Sequence, residues 1–215
     1  MRLTPATLLK AYAIGIFPMA ESRTSPVLHW MDPPMRGILP LDAFHVPHRL
    51  RRTVRRKPFS VRSDSAFESV VRTCAAPRPG QPDSWINDEI VALFLALHRA
   101  GSAHSIECWR DGRLVGGLYG LAMGGAFFGE SMFSIAPDAS KVALVHLVAR
   151  LLRGGFTLLD TQFVTGHLSQ FGACEIPRAS YRAKLAQAIA RDANFHCFGD
   201  DPDPDTVLQS ITQTS

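Results

Sequence analysis

The sequence around Asp111-Gly112 constrains the fold more than any other feature. Residues 104–110 alternate apolar and polar side chains, as a half-buried strand does. Asp-Gly is the strongest short signal for a hairpin turn, and an apolar run follows it at residues 114–123. After Gly124-Gly125 comes a third such run, residues 126–133. The pattern predicts three consecutive strands, of which the first two form a hairpin.

Three glycines interrupt the second of these strands, at positions 116, 117 and 120. A glycine inside a strand lets another backbone or a ligand come close. In the third strand Glu130 stands among four large apolar residues: Phe127, Phe128, Met132 and Phe133. A carboxylate in such surroundings must be paired, hydrogen-bonded or functional, because burying it alone is costly.

A helix and a fourth strand follow. Asp138 is placed to cap a helix that ends at Gly154-Gly155, and residues 157–163 then predict a strand. A strand, a helix and a strand in this order favour a parallel crossover with a ligand site at the strand ends. Asp160 and Gln162 are two residues apart, so we expect both side chains on one face. From these residues alone, Asp160 is either reactive or a structural cap for a neighbouring loop.

The composition fits one large domain, or one large domain with a small annex. The 215 residues are 46% hydrophobic and 20% charged, with a formal net charge of +4. The four cysteines show no C-x-x-C spacing and the eight histidines no metal-ligand spacing, so we expect reduced thiols and no metal. No stretch approaches the ~20 apolar residues of a membrane span. We therefore expect a cytoplasmic protein that does not enter a membrane.

The densest charge lies at residues 49–57, where six of the nine residues are basic and none is acidic. Such a run is commonly a solvated face. No acidic residue follows until Asp64, and an uncompensated basic run favours a phosphate-binding patch. Further along, Trp85 precedes a helix that Asn87 caps, and it is either a core residue or a stacking platform for a base.

The two ends of the chain predict a small N-terminal domain and a loose C-terminal segment. Thr4-Pro5 predicts a helix start, and residues 19–34 are rich in turn signals. This segment is too small to fold alone, and we place a boundary near Arg36, with an N-terminal domain of residues 1–36 and a larger domain of residues 37–215. Residues 200–215 are acidic and then polar, and we expect a loose end there.

Seven motifs, taken together, resemble those of leucyl/phenylalanyl-tRNA–protein transferases and cover nearly the whole chain from Thr4 to about Arg191. The motifs are Ile-Phe-Pro at 16–18, His-Ser-Ile-Glu at 104–107, Leu-Val-Gly-Gly-Leu-Tyr-Gly at 114–120, Gly-Glu-Ser-Met-Phe-Ser at 129–134, Ala-Ser-Lys at 139–141, Asp-Thr-Gln at 160–162 and Gly-Ala-Cys-Glu-Ile-Pro-Arg at 172–178.

The resemblance implies an α+β fold class. It places a small N-terminal domain on a core with the fold of the GCN5-related N-acetyltransferases (GNAT), a mixed β-sheet flanked by helices. It also implies an enzyme. We expect no cofactor and a monomer, although the oligomeric state stays open. Such enzymes move Leu or Phe from an aminoacyl-tRNA to the α-amino group of a protein beginning with Arg or Lys, and so mark that protein for degradation. The preference among Leu, Phe and Met stays open.

The resemblance also assigns roles to the reactive groups. Asp160 and Gln162 match the catalytic pair, in which we expect Gln162 to orient the attacking amine. Asp160 then stabilises the developing positive charge or accepts the final proton. Glu130 matches a pocket residue that fixes a substrate amine.

Binding residues follow in the same way. Leu118, Phe127 and Phe94 are similar to the apolar lining that accepts the Leu or Phe side chain. Three residues match positions near the terminal adenosine: Tyr12, Met19 and Trp85. Met19 departs from the family, which commonly has Trp there, so a thioether would pack on the base in place of a ring. Arg55 and Arg56 match a basic cluster for the acceptor arm of tRNA.

Two other functions compete with this one. An acyl-CoA-dependent N-acetyltransferase on the same fold would need a glycine-rich pyrophosphate loop, and residues 133–141 contain no glycine. A non-enzymatic RNA-binding module built on residues 49–57 would bind tRNA in a salt-sensitive manner without regard to the attached amino acid.

Overall fold

The computed structural model describes residues 3–78 and 82–212. The helices are α1 (Pro5–Ala13), α2 (His48–Arg56), α3 (Phe67–Ala75), α4 (Asp88–Arg99), α5 (Ala139–Arg153), α6 (Gly166–Ser169), α7 (Arg178–Ile189) and α8 (Pro204–Thr212), with a 3₁₀-helix at Phe195–Cys197. The strands are β1 (Phe17–Ala20), β2 (Leu28–Met31), β3 (Met35–Ile38), β4 (Ser60–Ser63), β5 (Ala103–Arg110), β6 (Arg113–Met123), β7 (Ala126–Ser134), β8 (Leu158–Gln162) and β9 (Cys174–Pro177).

Seven of the strands form one mixed sheet in the order β4-β5-β6-β7-β8-β3-β9. Its β7 and β8 pair in parallel, and its other neighbours pair antiparallel. The remaining strands, β1 and β2, form a small antiparallel sheet of their own. Helices cover both faces of the large sheet, so the predicted α+β class is confirmed, and the architecture is compatible with the GNAT-like core that the resemblance implies.

The three strands predicted around the Asp-Gly turn are present as β5, β6 and β7. Arg110 lies opposite Arg113, and Asp111 and Gly112 between them both have positive φ, at 51° and 71°. Two positive φ values in a row match the right-handed twist of the flanking strands. The hairpin prediction is therefore confirmed to the residue.

Two apolar clusters fill the two faces of the sheet. The first lies under α5, α2 and α8, where residues such as Val145, Leu50 and Val207 are buried. The second lies under α1, α3, α4 and α7, where Leu8 and Tyr181 are buried. Helix α5 connects the parallel strands β7 and β8 and packs on one face of the large sheet. It is therefore the predicted parallel crossover.

The parallel strands β7 and β8 stay together over a short distance. Three pairs join them: Ala126 with Leu158, Phe127 with Leu159, and Phe128 with Asp160. β7 then continues to Ser134, paired with β6, and β8 continues to Gln162, paired with β3, but β7 and β8 no longer pair with each other. The sheet therefore opens in its middle, at the ends of the two strands where a ligand site was expected.

Several sequence predictions differ from the structure. Residues 200–215 are not a loose end throughout, because α8 buries Val207, Leu208 and Ile211 against α5. Asp138 stands at the helix start, but its φ is 63°, and it makes an ion pair with Lys141 where a capping bond to the backbone was expected.

The first strand of the large sheet in chain order spans the predicted domain boundary. β3 contains Arg36 and lies between β8 and β9. The residues on either side of the boundary thus share one strand of the main sheet. The division into residues 1–36 and 37–215 stays a prediction.

Replacement of Gly116 by Ala tests how closely α5 lies on β6. A Cβ atom at this position would overlap the Cβ of Ala139 and approach the backbone of Ser140 to 3.2 Å. We expect Gly116→Ala to lower the free energy of unfolding by about 1–3 kcal/mol, because either the helix or the strand must shift. Urea unfolding measures this change.

Gly166→Ala is the matched control, since no atom lies within 4 Å of its Cβ position. Its stability should change by less than about 1 kcal/mol. Equal stability of the Gly116 variant and the wild type would contradict the close packing.

Candidate functional site

A cavity of about 610 Å³ occupies the opening between β7 and β8. Its walls come from β1, β6, β7, α5, β8, α6 and the loop around Trp85. Five of the residues predicted from the sequence line it: Met19, Trp85, Leu118, Glu130 and Gln162. The structure therefore brings together two of the three predicted adenosine contacts, one of the three predicted apolar lining residues and two of the three predicted catalytic side chains.

One side of the cavity is apolar. Leucine side chains from four elements face it: Leu118, Leu144, Leu147, Leu159 and Leu168. Such a chamber accepts an aliphatic or aromatic side chain and disfavours a polar one, which would lose its hydration there.

Glu130 owes its position to a β-bulge. Tyr119 on β6 pairs with Ser131 on β7, and the next residue, Gly120, pairs with Gly129. Glu130 is therefore the extra residue of β7, and a bulge commonly re-aims a side chain next to a site. Its Oε1 accepts a hydrogen bond of 2.8 Å from the hydroxyl group of Tyr12.

Burial raises the pKa of Glu130 from its ordinary 4.5 to about 8. The hydrogen bond from Tyr12 opposes this rise, and the negative charge of Asp160 adds to it. The carboxyl group therefore changes its protonation state close to neutral pH. A cationic amine that enters the cavity would favour the ionised form.

Asp160 makes a buried ion pair. Its carboxylate accepts two hydrogen bonds from Arg36, from Nε at 2.9 Å and from Nη2 at 2.6 Å. The hydroxyl group of Tyr181 donates to Oδ2 at 2.7 Å. The guanidinium group lies between the rings of Phe17 and Tyr181, 4.3 and 4.6 Å from their centroids. Both charges are buried, and Asp160 is not among the described residues that line the cavity.

Gln162 reaches the cavity through an unusual backbone conformation. Its φ is 58°, and its backbone N–H donates to Oδ1 of Asp160 at 2.8 Å. The side chain is 8% exposed, and its Nε2 has no hydrogen-bond partner. A left-handed non-glycine residue persists where its surroundings hold it. Asp160 therefore holds the strand end that carries Gln162.

The expectation that Asp160 and Gln162 share one face is wrong. Leu159 and Thr161 line the cavity, so the alternation of the strand turns Asp160 toward Arg36. Gln162 enters the cavity because the positive φ ends that alternation. The spacing alone could not reveal this change.

Three predicted binding residues lie behind the cavity wall. Tyr12 is fully buried and supports Glu130. Phe94 packs edge-on against Tyr119, with centroids 5.2 Å apart. Phe127 lies in the core beneath α5, stacked on Phe195 at 5.7 Å. None of the three is among the described lining residues, so direct substrate contact by them stays a prediction.

The basic run forms the outer face of α2. Leu50 and Val54 are buried, and Arg55 and Arg56 are exposed. Arg55 pairs with Asp205 of α8 at 3.1 Å, but both side chains are largely solvent-exposed. Such a pair contributes about 0–1 kcal/mol, so it leaves Arg55 free to exchange partners.

The sequence reasoning missed two residues that complete the site. Arg36 and Tyr181 are 124 and 21 residues away from Asp160, and no local spacing links them. It also missed a cluster outside the cavity, in which potential metal-ligand atoms of Asp64, His104 and His196 lie within 4.8 Å of one another.

Among the described residues, no helix is long and apolar enough to cross a membrane.

Substitution of Glu130 by Gln tests the protonation of this carboxyl group. Its pKa is higher in the folded than in the unfolded chain, so its contribution to stability is full below pH 4.5 and is lost as the pH rises toward about 8. Glu130→Gln removes that loss. We expect its free energy of unfolding, relative to wild type, to rise by on the order of 2–4 kcal/mol between pH 5 and pH 8.

Chemical unfolding at four pH values measures the trend. Glu175→Gln, which removes an exposed carboxyl group on β9, is the control and should run parallel to wild type. A Glu130→Gln curve that also runs parallel would show that Glu130 keeps an ordinary pKa.

Replacement of Arg36 by Met tests the buried pair. The variant leaves Asp160 charged and uncompensated, which we expect to cost about 3–5 kcal/mol of stability. The double variant Arg36→Met/Asp160→Asn should recover part of that loss. Arg182→Met breaks an exposed pair with Asp32 and should cost less than about 1 kcal/mol. Similar losses for Arg36→Met and Arg182→Met would refute the importance of the buried pair.

Comparison with known proteins shows the family of this chain. A family model described as "Leucyl/phenylalanyl-tRNA protein transferase" matches residues 38–186, and a model of that family's N-terminal domain matches residues 1–34. A leucyl/phenylalanyl-tRNA–protein transferase of Paramagnetospirillum magneticum is 62% identical over 193 residues, which cover 90% of this chain and 92% of the relative. One of Phenylobacterium zucineum is 57% identical over 213 residues, covering 97% and 96%. The chain belongs to the leucyl/phenylalanyl-tRNA–protein transferase family.

Proposed function

We propose that this protein is an aminoacyltransferase that moves Leu or Phe from an aminoacyl-tRNA to the α-amino group of proteins beginning with Arg or Lys. The observation that carries the proposal is the cavity between β7 and β8. It combines an apolar chamber with the Gln162 amide and the Glu130 carboxyl group. Marking the acceptor for degradation, and a cytoplasmic location, where charged tRNA is made and used, follow from this activity.

The reaction exchanges an ester bond for a peptide bond. The nitrogen of the acceptor amine forms a bond to the carbonyl carbon, and the bond from that carbon to the ribose oxygen breaks. The proton that the amine loses balances the proton that the ribose oxygen gains. An α-amino group has a pKa of about 7.7–8.0, so a usable fraction is already neutral near pH 7.5. Orientation is then the main task of the protein.

Gln162 is the group best placed to orient the reactants. Its Nε2 is buried at the cavity wall with no partner, and its Oε1 can accept a hydrogen bond from the attacking amine. An amide is a poor base, so we assign it to positioning.

Asp160 acts indirectly, through Gln162. Its carboxylate already accepts hydrogen bonds from Arg36 and Tyr181, and Asp160 is not among the described residues that line the cavity. It fixes the backbone of Gln162, and its charge is largely balanced by the guanidinium group. We therefore propose Asp160 as a positioning residue, and not as the final proton acceptor.

The rest of the substrate has matching surfaces. Trp85 and Met19 both line the cavity, where the terminal adenosine would pack against a ring and a thioether. Arg55 and Arg56 on α2 supply positive charge for the phosphates of the acceptor arm.

A transfer assay tests the function. Labelled Leu on tRNA is offered to a peptide beginning with Arg, to the same peptide with an acetylated N-terminus, and to one beginning with Ala. We expect label only on the free Arg peptide. Well-folded protein that labels none of the three would overturn the proposal, and salt-sensitive tRNA binding without transfer would favour an RNA-binding role.

The double variant Arg55→Ala/Arg56→Ala tests the tRNA surface. Each lost phosphate contact lowers the slope of log affinity against log salt concentration by about 1. We expect a slope smaller by about 1–2 in filter binding with Leu-tRNA. The charge-matched double variant Arg99→Ala/Arg191→Ala, which changes an exposed residue of α4 and an exposed residue that follows α7, should leave the slope unchanged. Equal slopes for both double variants would place the tRNA elsewhere.

A further inference from the structure

The chain contains three tyrosines, and all three are buried around the proposed site. Tyr12 donates a hydrogen bond to Glu130, and Tyr181 donates one to Asp160. Tyr119 differs from both. Its side chain is 0% exposed, yet its hydroxyl group has no hydrogen-bond partner.

Unpartnered polar atoms gather at one place in the molecule. Within residues 3–78 and 82–212, four buried side-chain atoms lack a partner: Tyr119 Oη, Thr161 Oγ1, Gln162 Nε2 and His167 Nε2. All four residues line the cavity between β7 and β8. Native proteins pair nearly all of their buried polar groups. Unpaired groups that share one cavity therefore indicate where a bound molecule supplies the partners.

The position of the Tyr119 hydroxyl group is fixed by packing. Its ring stands edge-on to Phe67 and Phe94, with centroids 6.0 and 5.2 Å away. Tyr119 pairs with Ser131, directly beside the bulged Glu130. Burial and then the nearby Glu130 carboxylate raise the pKa of Tyr119 well above 10.0, so the hydroxyl group keeps its proton.

We propose that the hydroxyl groups of Tyr119 and Thr161 bind the aminoacyl ester directly. Tyr119 contacts the α-amino group of the amino acid being transferred, next to Glu130. Thr161 donates to the ester carbonyl oxygen, next to Gln162. Neither residue was assigned a role from the sequence, and the inference rests on the proposed function.

The Glu130 carboxylate favours one of the two substrate amines as the partner of Tyr119. Glu130 is the only carboxylate among the described lining residues. A carboxylate favours the protonated form of a neighbouring amine. The attacking amine must be neutral, whereas the amine of the transferred amino acid takes no part in the reaction. Glu130 and Tyr119 together therefore suit the second amine.

The carbonyl oxygen needs donors, because it gains negative charge when the amine attacks. Thr161 Oγ1 and Gln162 Nε2 belong to adjacent residues at the end of β8, and both can donate. Donors fixed in a buried site before the reaction stabilise such a charge strongly.

Stability and activity of Tyr119→Phe test the first contact. Removing an unpaired buried hydroxyl group should leave Tm equal to or above that of wild type, because no bond is lost in the free protein. Tyr181→Phe is the matched control and should lower Tm, since its hydroxyl group is paired with Asp160. A Tm of Tyr119→Phe as low as that of Tyr181→Phe would show that the hydroxyl group is structural, and would overturn the proposal.

The rate of transfer provides the second readout. With Phe-tRNA as donor, we expect kcat/KM of Tyr119→Phe to fall about 10-fold, as for the loss of one hydrogen bond to a charged group. With tRNA carrying the 2-hydroxy analogue of Phe, which has no α-amino group, the variant should equal wild type. An equal loss with both donors, or no loss with either, would refute the contact with this amine.

Thr161→Val tests the second contact. We expect kcat to fall about 100-fold with little change in KM, because the lost donor acts mainly in the transition state. Thr161→Ser keeps the hydroxyl group and should retain most of the activity. Wild-type kcat in Thr161→Val would overturn this assignment. Transfer by wild type in the same assays separates failure of this inference from failure of the proposed function.

Discussion

The buried pair of Arg36 and Asp160 is the interaction on which the site depends. Arg36 lies on β3, contacts the carbonyl of Gly15 at 3.0 Å, and joins β8 to the segment that precedes β1. The Asp160 carboxylate also accepts hydrogen bonds from the hydroxyl group of Tyr181 and from the backbone N–H of Gln162. Two opposite charges in the core persist only when the surrounding hydrogen bonds satisfy them. One ion pair therefore holds the N-terminal segment, α7 and the end of β8 in register.

The cavity forms where the large sheet opens between β7 and β8, beside the buried ion pair. Because β7 and β8 stop pairing after Phe128 and Asp160, two strand ends face each other across a cavity. The bulge brings Glu130 to one wall, and the positive φ brings Gln162 to the other. The proposed function assigns the apolar chamber beneath α5 to selecting the side chain and the polar walls to holding the ester. In that proposal, selection and chemistry occupy different sides of one cavity.

Local pattern predicted most of the central fold. The hairpin at Asp111-Gly112, the strands β5 to β8 and the crossover helix α5 all follow from periodicity and turn residues. The shared face of Asp160 and Gln162 was not predictable, because alternation gives no sign of a left-handed residue at a strand end. Nor was Arg36, since the sheet that brings it to Asp160 forms from strands distant in sequence. Polar contacts made by tertiary structure leave no spacing to detect.

The central claim is that the aminoacyl ester binds between β7 and β8. The most direct measurement is a crystal structure with 3′-amino-3′-deoxyadenosine carrying phenylalanine through a stable amide bond. The account predicts the phenyl ring among Leu118, Leu144 and Leu159, the adenine on Trp85, and the carbonyl oxygen at Thr161 and Gln162. Binding on α2 or elsewhere on the surface, with the cavity unchanged, would contradict it.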